Sequence, residues 1–160
     1  MSRTDDGPRP APRLEHAAVR LAIVVSEFHR DLGERLLEGA RSRLFDAGMD
    51  ESRLDVHHVP GAFELPLAAQ LLATRGRYAA LIALGAVIRG ETAHFDLVSH
   101  AAVMGLSRVS LDTRVPCTLG LLTCDTREQA LARSGGSVGN AGADAADAAV
   151  VLANLRADVN

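Results

Sequence analysis

Aromatic side chains are scarce in this chain: four Phe, one Tyr and no Trp among 160 residues. Proteins that hold single-stranded nucleic acid stack bases on aromatic platforms, and few are available here. A formal net charge of −3 points the same way, because nucleic-acid partners select basic surfaces. An aromatic residue beside a ligand site is therefore worth noticing. Cysteine is nearly absent too. Cys117 and Cys124 read as residues of one strand, where seven residues at about 3.3 Å each set them roughly 23 Å apart. A disulfide needs Cα atoms within about 7 Å, so these two cannot pair with each other. The six His make no metal set. His94 and His100 fall on different sides of a helix, and His57 and His58 point to opposite faces of a strand.

Long apolar runs are missing, so no segment is expected to span a bilayer. The start, Met1 to Asp6, lacks the apolar core of a signal peptide, and the cytoplasm is the expected location. The chain has no G-x-G-x-x-G after its first strand and no G-x-x-x-x-G-K-[ST], which leaves a nucleotide-binding module poorly supported. Hydrophobic residues at 48% and charged residues at 23% are ordinary for one globular domain with a real core.

What is present is an alternation of buried strands and amphipathic helices. Residues 1–17, with Pro8, Pro10 and Pro12, read as a flexible or extended N-terminal arm, disordered or docked on a neighbouring subunit. Residues 18–160 read as the domain. Leu21–Val25 is a buried strand. A helix follows from about Asp31 to Ala47, with Leu32, Leu36, Ala40 and Leu44 as its apolar stripe. Leu54–Val59 is a more polar strand, nearer a sheet edge. Pro60–Pro66 (PGAFELP) leads into a helix that carries Leu67, Leu71 and Leu72. Ala79–Leu84 is apolar throughout, as for a strand buried on both faces. A helix over Phe95–Val109, a strand over Pro116–Cys124, a short helix after Asp125-Thr126-Arg127-Glu128 and a last helix from about Ala143 complete the domain. The segment Asp125–Glu128 has the form of a capping box. The βαβα order predicts a three-layer α/β domain with a four-stranded parallel sheet flanked by helices.

The chemistry concentrates in Gly85–Asp96 (GAVIRGETAHFD), read as a strand-to-helix turn at the carboxyl end of a central strand. Open α/β sheets bind ligands there. Gly90 lets backbone approach a ligand, and Thr92 can cap the helix. The free N–H groups of the first turn favour an anion. His94 at the helix start offers an imidazole, the side chain best suited to moving protons near neutrality. Each feature also has a plainer reading: a turn glycine, a cap, a solvated histidine. Glu64 could simply complement a helix N-terminus, and Arg133 a helix C-terminus.

Four segments, in order along the chain, resemble the 6,7-dimethyl-8-ribityllumazine synthase family: Ser26–His29, PGAFELP, GAVIRGETAHFD and Leu121–Asn140. The resemblance implies a flavodoxin-like fold and active sites shared between subunits of a pentamer. It implies condensation of 5-amino-6-(D-ribitylamino)uracil with 3,4-dihydroxy-2-butanone 4-phosphate, releasing phosphate and water, without metal or organic cofactor. It assigns Phe28 to stacking on the pyrimidine and Ala62, Phe63 and Glu64 to the ribityl chain. Ala86, Val87 and Ile88 would contact the uracil ring by their backbone, and Leu119 would line the ring pocket. Glu91 and Thr92 would cradle phosphate, with Arg133 from the adjacent subunit, and His94 would carry protons. The implied partners are copies of the chain, as pentamers joined into an icosahedral 60-mer, and riboflavin synthase. Ser137 and Ala141 depart from the family, where many relatives carry lysine, and Leu119 stands where many have Phe or Asn. These departures support the alternative of a non-catalytic flavin- or lumazine-binding or shell-forming protein of the same fold.

Overall fold

A computed structural model describes residues 10–159. The first strand, β1 (Leu21–Ser26), is buried at every position and leads into helix α1 (Arg30–Asp46). Then come β2 (Leu54–Val59), α2 (Leu65–Ala73), β3 (Ala80–Ile88), α3 (His94–Thr113), β4 (Cys117–Cys124) and α4 (Arg127–Arg133). A small pair of strands, β5 (Ser134–Gly136) and β6 (Gly139–Asn140), precedes the last helix, α5 (Ala141–Val159). The four main strands form one parallel sheet in the order β2-β1-β3-β4. This is the expected flavodoxin-like α/β fold, and β2 is the edge strand its polarity predicts.

The layers follow from the period-two alternation of strand side chains. Leu21, Ile23 and Val25 of β1, with Ala80, Ile82 and Leu84 of β3, pack under α1 and α5. Ala22 and Val24, with Leu81 and Ala83, pack under α2 and α3 on the other face. Both faces of β1 and β3 are thus covered, which is why their sequences are continuously apolar.

Several local expectations are corrected. The β3 strand does not stop at Leu84; it runs through Gly85-Ala86-Val87-Ile88, paired with Leu121 to Cys124 of β4. The true turn is Arg89–Ala93. Backbone pairing with β4 carries the strand past the glycine that reads as its end. The capping box lies one residue later than expected. Thr126 Oγ1 accepts from Gln129 N–H at 3.2 Å, and Gln129 Oε1 accepts from Thr126 N–H at 3.4 Å. Between α4 and α5 the small residues form the β5–β6 hairpin, with Gly135 and Gly139 at φ of 102° and 114°. The last helix begins at Ala141, where Asn140 Oδ1 accepts from Gly142 and Ala143 N–H.

Residues 10–20 form no helix or strand, but part of the arm is tied to its own chain. Leu14 N–H donates to Ala47 O, and Asn154 of α5 bonds both Glu15 N–H and Arg13 O. Residues 1–9, with Pro8 and the rest of the proposed arm, lie outside the described residues. Cys117 and Cys124 are both free at opposite ends of β4. Among the described residues, no helix is long and apolar enough to cross a membrane.

Candidate active site

The strand order reverses direction between β1 and β3, and a crevice opens at their carboxyl ends. A cleft of about 790 Å³ fills it. The tip of β1 supplies Phe28 and His29, and the turn after β2 supplies Pro60 to Glu64. The end of β3 supplies Ala86, Val87 and Ile88, and the β3–α3 turn supplies Gly90, Thr92 and His94. Phe95, Leu97 and Val98 of α3 close the wall. Three loops far apart in sequence meet because their strands are adjacent and parallel.

Each element positions its side chains for a local reason. Ser26 ends β1 buried, and the chain then turns outward, so Phe28 is 79% exposed. Its ring meets His29 edge to face, with centroids 5.1 Å apart and planes at 85°. A free aromatic face at a cleft mouth can stack on a planar heterocycle. Partial burial holds the His29 pKa below its ordinary value, and Arg127 adds to the depression while Asp31 opposes it. After β2, Gly61 leads into a single 3₁₀ turn over Ala62–Glu64 that flows into α2. Pro66, in the first turn of α2, lacks only an N–H that would have no helical partner there. Ala62 is buried, while Phe63 and Glu64 are exposed along the rim.

At the β3–α3 turn the helix begins one residue later than a Thr92 cap would place it. Ala93 is the flanking residue and has helical angles. Thr92 Oγ1 still accepts from the His94 N–H at 3.3 Å. Of the other N–H groups of this first turn, that of Asp96 donates to Ala93 O at 3.1 Å, which leaves that of Phe95, and a Cβ on Gly90 in the preceding turn would meet open space. A turn of this kind can receive an anion, with an imidazole at its side.

Three residues expected at the site do not line this cleft: Glu91, Leu119 and Arg133. Glu91 is exposed in the turn between β3 and α3. Leu119 is on the β4 edge strand and is 46% exposed. Arg133, at the end of α4, donates to Gln129 O at 3.1 Å, the helix-end role open to it from sequence. Leu119 and Arg133 belong to β4 and to the helix that follows it, at the edge of the sheet. The cleft also contains residues not singled out as ligands by sequence: His29, Pro60, Gly61, Phe95, Leu97 and Val98. For His29 the available signal was its place after Phe28 in a strand-to-helix turn.

Comparison with known families finds a matching family model. The model described as 6,7-dimethyl-8-ribityllumazine synthase covers residues 18–157, everything from just before β1 to the last turns of α5.

Proposed function

We infer the activity from one premise: the chain belongs to the 6,7-dimethyl-8-ribityllumazine synthase family. On it we propose that the protein condenses 5-amino-6-(D-ribitylamino)uracil with 3,4-dihydroxy-2-butanone 4-phosphate, releasing phosphate and water, with no metal or organic cofactor. The observation that carries this reading is the meeting of Phe28, Ala62, Phe63, Glu64, Ala86, Val87, Ile88, Thr92 and His94 in one cleft.

The pyrimidine stacks on Phe28, and its polar edge bonds the backbone of Ala86 to Ile88. The ribityl hydroxyls donate to the Glu64 carboxylate. The butanone's phosphate occupies the N-terminus of α3 with Thr92 and the Glu91 N–H, whose exposed carboxylate turns to solvent. The primary amine attacks the ketone, and loss of water gives an imine. Loss of a proton from the sugar-derived carbon expels phosphate, and attack by the ribityl-bearing nitrogen closes the ring with loss of a second water. His94 moves protons in these steps, within reach of the phosphate-bearing carbon chain. Holding two substrates side by side supplies most of what remains, since no strong nucleophile is needed.

Arg133 completes the phosphate site of a neighbouring copy, so the active protein is an oligomer. In support, Leu97, Met104 and Leu111 recur at seven-residue intervals along the exposed side of α3, and Leu119 is exposed on the β4 edge. Unpartnered apolar stripes and open strand edges mark association surfaces. The proposed setting is the cytoplasm.

Mixing the two substrates with the protein and following lumazine absorbance tests the activity. A rate no greater than the uncatalysed one would reject it. Lumazine or flavin binding without turnover would instead support the non-catalytic alternative that Ser137 and Ala141 favour.

A further inference from the structure

Arg89 is the last residue before the cradle, and the reaction outlined above leaves it without a task. Its surroundings fix it from several directions. The Arg89 N–H donates to Cys124 O at 2.9 Å, which extends the β3–β4 pairing one residue beyond Ile88. Its Nε donates to Asp125 Oδ1 at 2.7 Å, and its terminal nitrogens donate to the two Asp96 oxygens at 3.2 and 3.3 Å. The guanidinium carbon lies 4.2 Å from the centre of the Phe95 ring, a buried residue that lines the cleft. Asp125 is anchored in turn, its N–H donating to Gln129 Oε1 at 2.9 Å. One planar fork therefore joins the end of β3, the end of β4 and the first turn of α3, and residues 90–93 span the gap between its anchor points.

We propose that Arg89 is a positioning residue for the cradle: its fork sets the shape of the Gly90–Ala93 turn and the start of α3, so that the backbone N–H groups of the turn and Thr92 converge on the substrate's phosphate. This rests on the reading of that turn as a phosphate site. Stability is a poor explanation for the arrangement. The Arg89, Asp96 and Asp125 side chains are 44%, 62% and 64% exposed, and exposed ion pairs add little to folding. Fixing the loop is the consequence the geometry does have. A lysine could not replace the fork, because one compact ammonium cannot pair two carboxylates while lying flat on an aromatic ring.

Arg89→Lys, which keeps the charge and loses the fork, and Arg89→Gln, which loses both, test this. Each should raise the KM for the butanone phosphate by about tenfold or more, the scale of a small misplacement of binding groups. Calorimetric titration with inorganic phosphate should weaken in proportion. The KM for the pyrimidine and the melting temperature should stay near their wild-type values. Wild-type phosphate affinity and KM in Arg89→Lys would overturn the proposal, since a bare charge would then suffice. Equal rises in both KM values, or a collapsed melt, would overturn it in favour of a purely structural role. If the wild-type protein forms no lumazine, the functional reading falls, but the phosphate titration still decides Arg89. Weakened binding in both variants upholds its role, and unchanged binding, or no phosphate binding by the wild type, removes it.

Discussion

His94 and Arg133 are the residues whose roles are most sharply separable from plainer ones. His94 is the first residue of α3, exposed, with its N–H bonded to Thr92. Replacing it by Ala leaves no buried group unpaired, so fold and assembly should persist. Turnover above the uncatalysed background should fall about 10²- to 10⁴-fold, the usual contribution of a general acid or base. Steady-state rates with both substrates check this, and an unchanged rate would take His94 out of the chemistry. Arg133 bonds the Gln129 carbonyl within one chain, which costs the side chain little to give up. If it serves a neighbour's phosphate, Arg133→Ala should raise the KM for the butanone phosphate far more than that for the pyrimidine. A role confined to its helix end predicts instead a stability loss of about 0.3–1 kcal/mol and equal kinetics for the two substrates.

Among elements, the close approach of α5 to α1 is the most sensitive contact. A Cβ on Gly142 would run into the backbone of Leu36, and backbone cannot swing aside as a long side chain can. Gly142→Ala should therefore destabilise the fold by about 1–3 kcal/mol, the range for overpacking a tight interface; a denaturant melt with an unchanged midpoint would contradict this. At the opposite end of the sheet from the cleft, Asp55 of β2 joins the starts of three strands. It accepts from Tyr78 Oη at 2.7 Å, from Arg77 at 2.9 Å and from Arg20 at 3.2 Å. The Tyr78 hydroxyl above all, against the opposing effect of burial and with help from the two arginines, holds the Asp55 carboxyl below its ordinary pKa. A carboxylate with a lower pKa folded than unfolded stabilises the protein above the unfolded value, about 3.9. That contribution disappears as the pH falls through the folded value. The wild-type melting temperature should thus drop below about pH 4, and Asp55→Asn, less stable at neutral pH, should show a flatter acid limb in melts recorded across pH.

For the molecule as a whole, the assembly is the open quantity with the clearest expectation. The resemblance links a short Gly-rich connection between the last two helices with icosahedral shells, and longer inserts with free pentamers. Here that connection is a tight hairpin whose Gly135 and Gly139 adopt left-handed angles, available to glycine without strain. A shell is therefore expected, with the proline-rich arm as the feature that counts against it. Light scattering and negative-stain microscopy at neutral pH distinguish the outcomes. A single pentamer-sized species at all concentrations would refute the shell and spare the enzyme. A stable monomer would refute the shared active site.

Local pattern determined much of this protein without help. Continuous apolarity specified β1 as a buried strand and β3 as a strand covered on both faces, and helical spacing specified α1 and α3, because solvent exclusion acts on each segment's own periodicity. Thr92, His94 and Glu64 were legible as candidates because each sits where a strand tip feeds a helix, and Phe28 through the resemblance of its segment to the family. Tertiary structure decided the rest. Gly85 reads as the end of a strand, yet pairing with β4 carries β3 on to Ile88, since hydrogen bonds to a neighbour override a local breaker. The capping box settled on Thr126 rather than Asp125 because the helix register is set by which side chain reaches the third N–H, and residues 13–15 are tied down by partners on α5 and at Ala47, just after α1. Most of all, the cleft is a product of strand adjacency: Phe28, Glu64 and His94 are distant in sequence, and only the parallel order β2-β1-β3 brings their turns to the same end of the sheet.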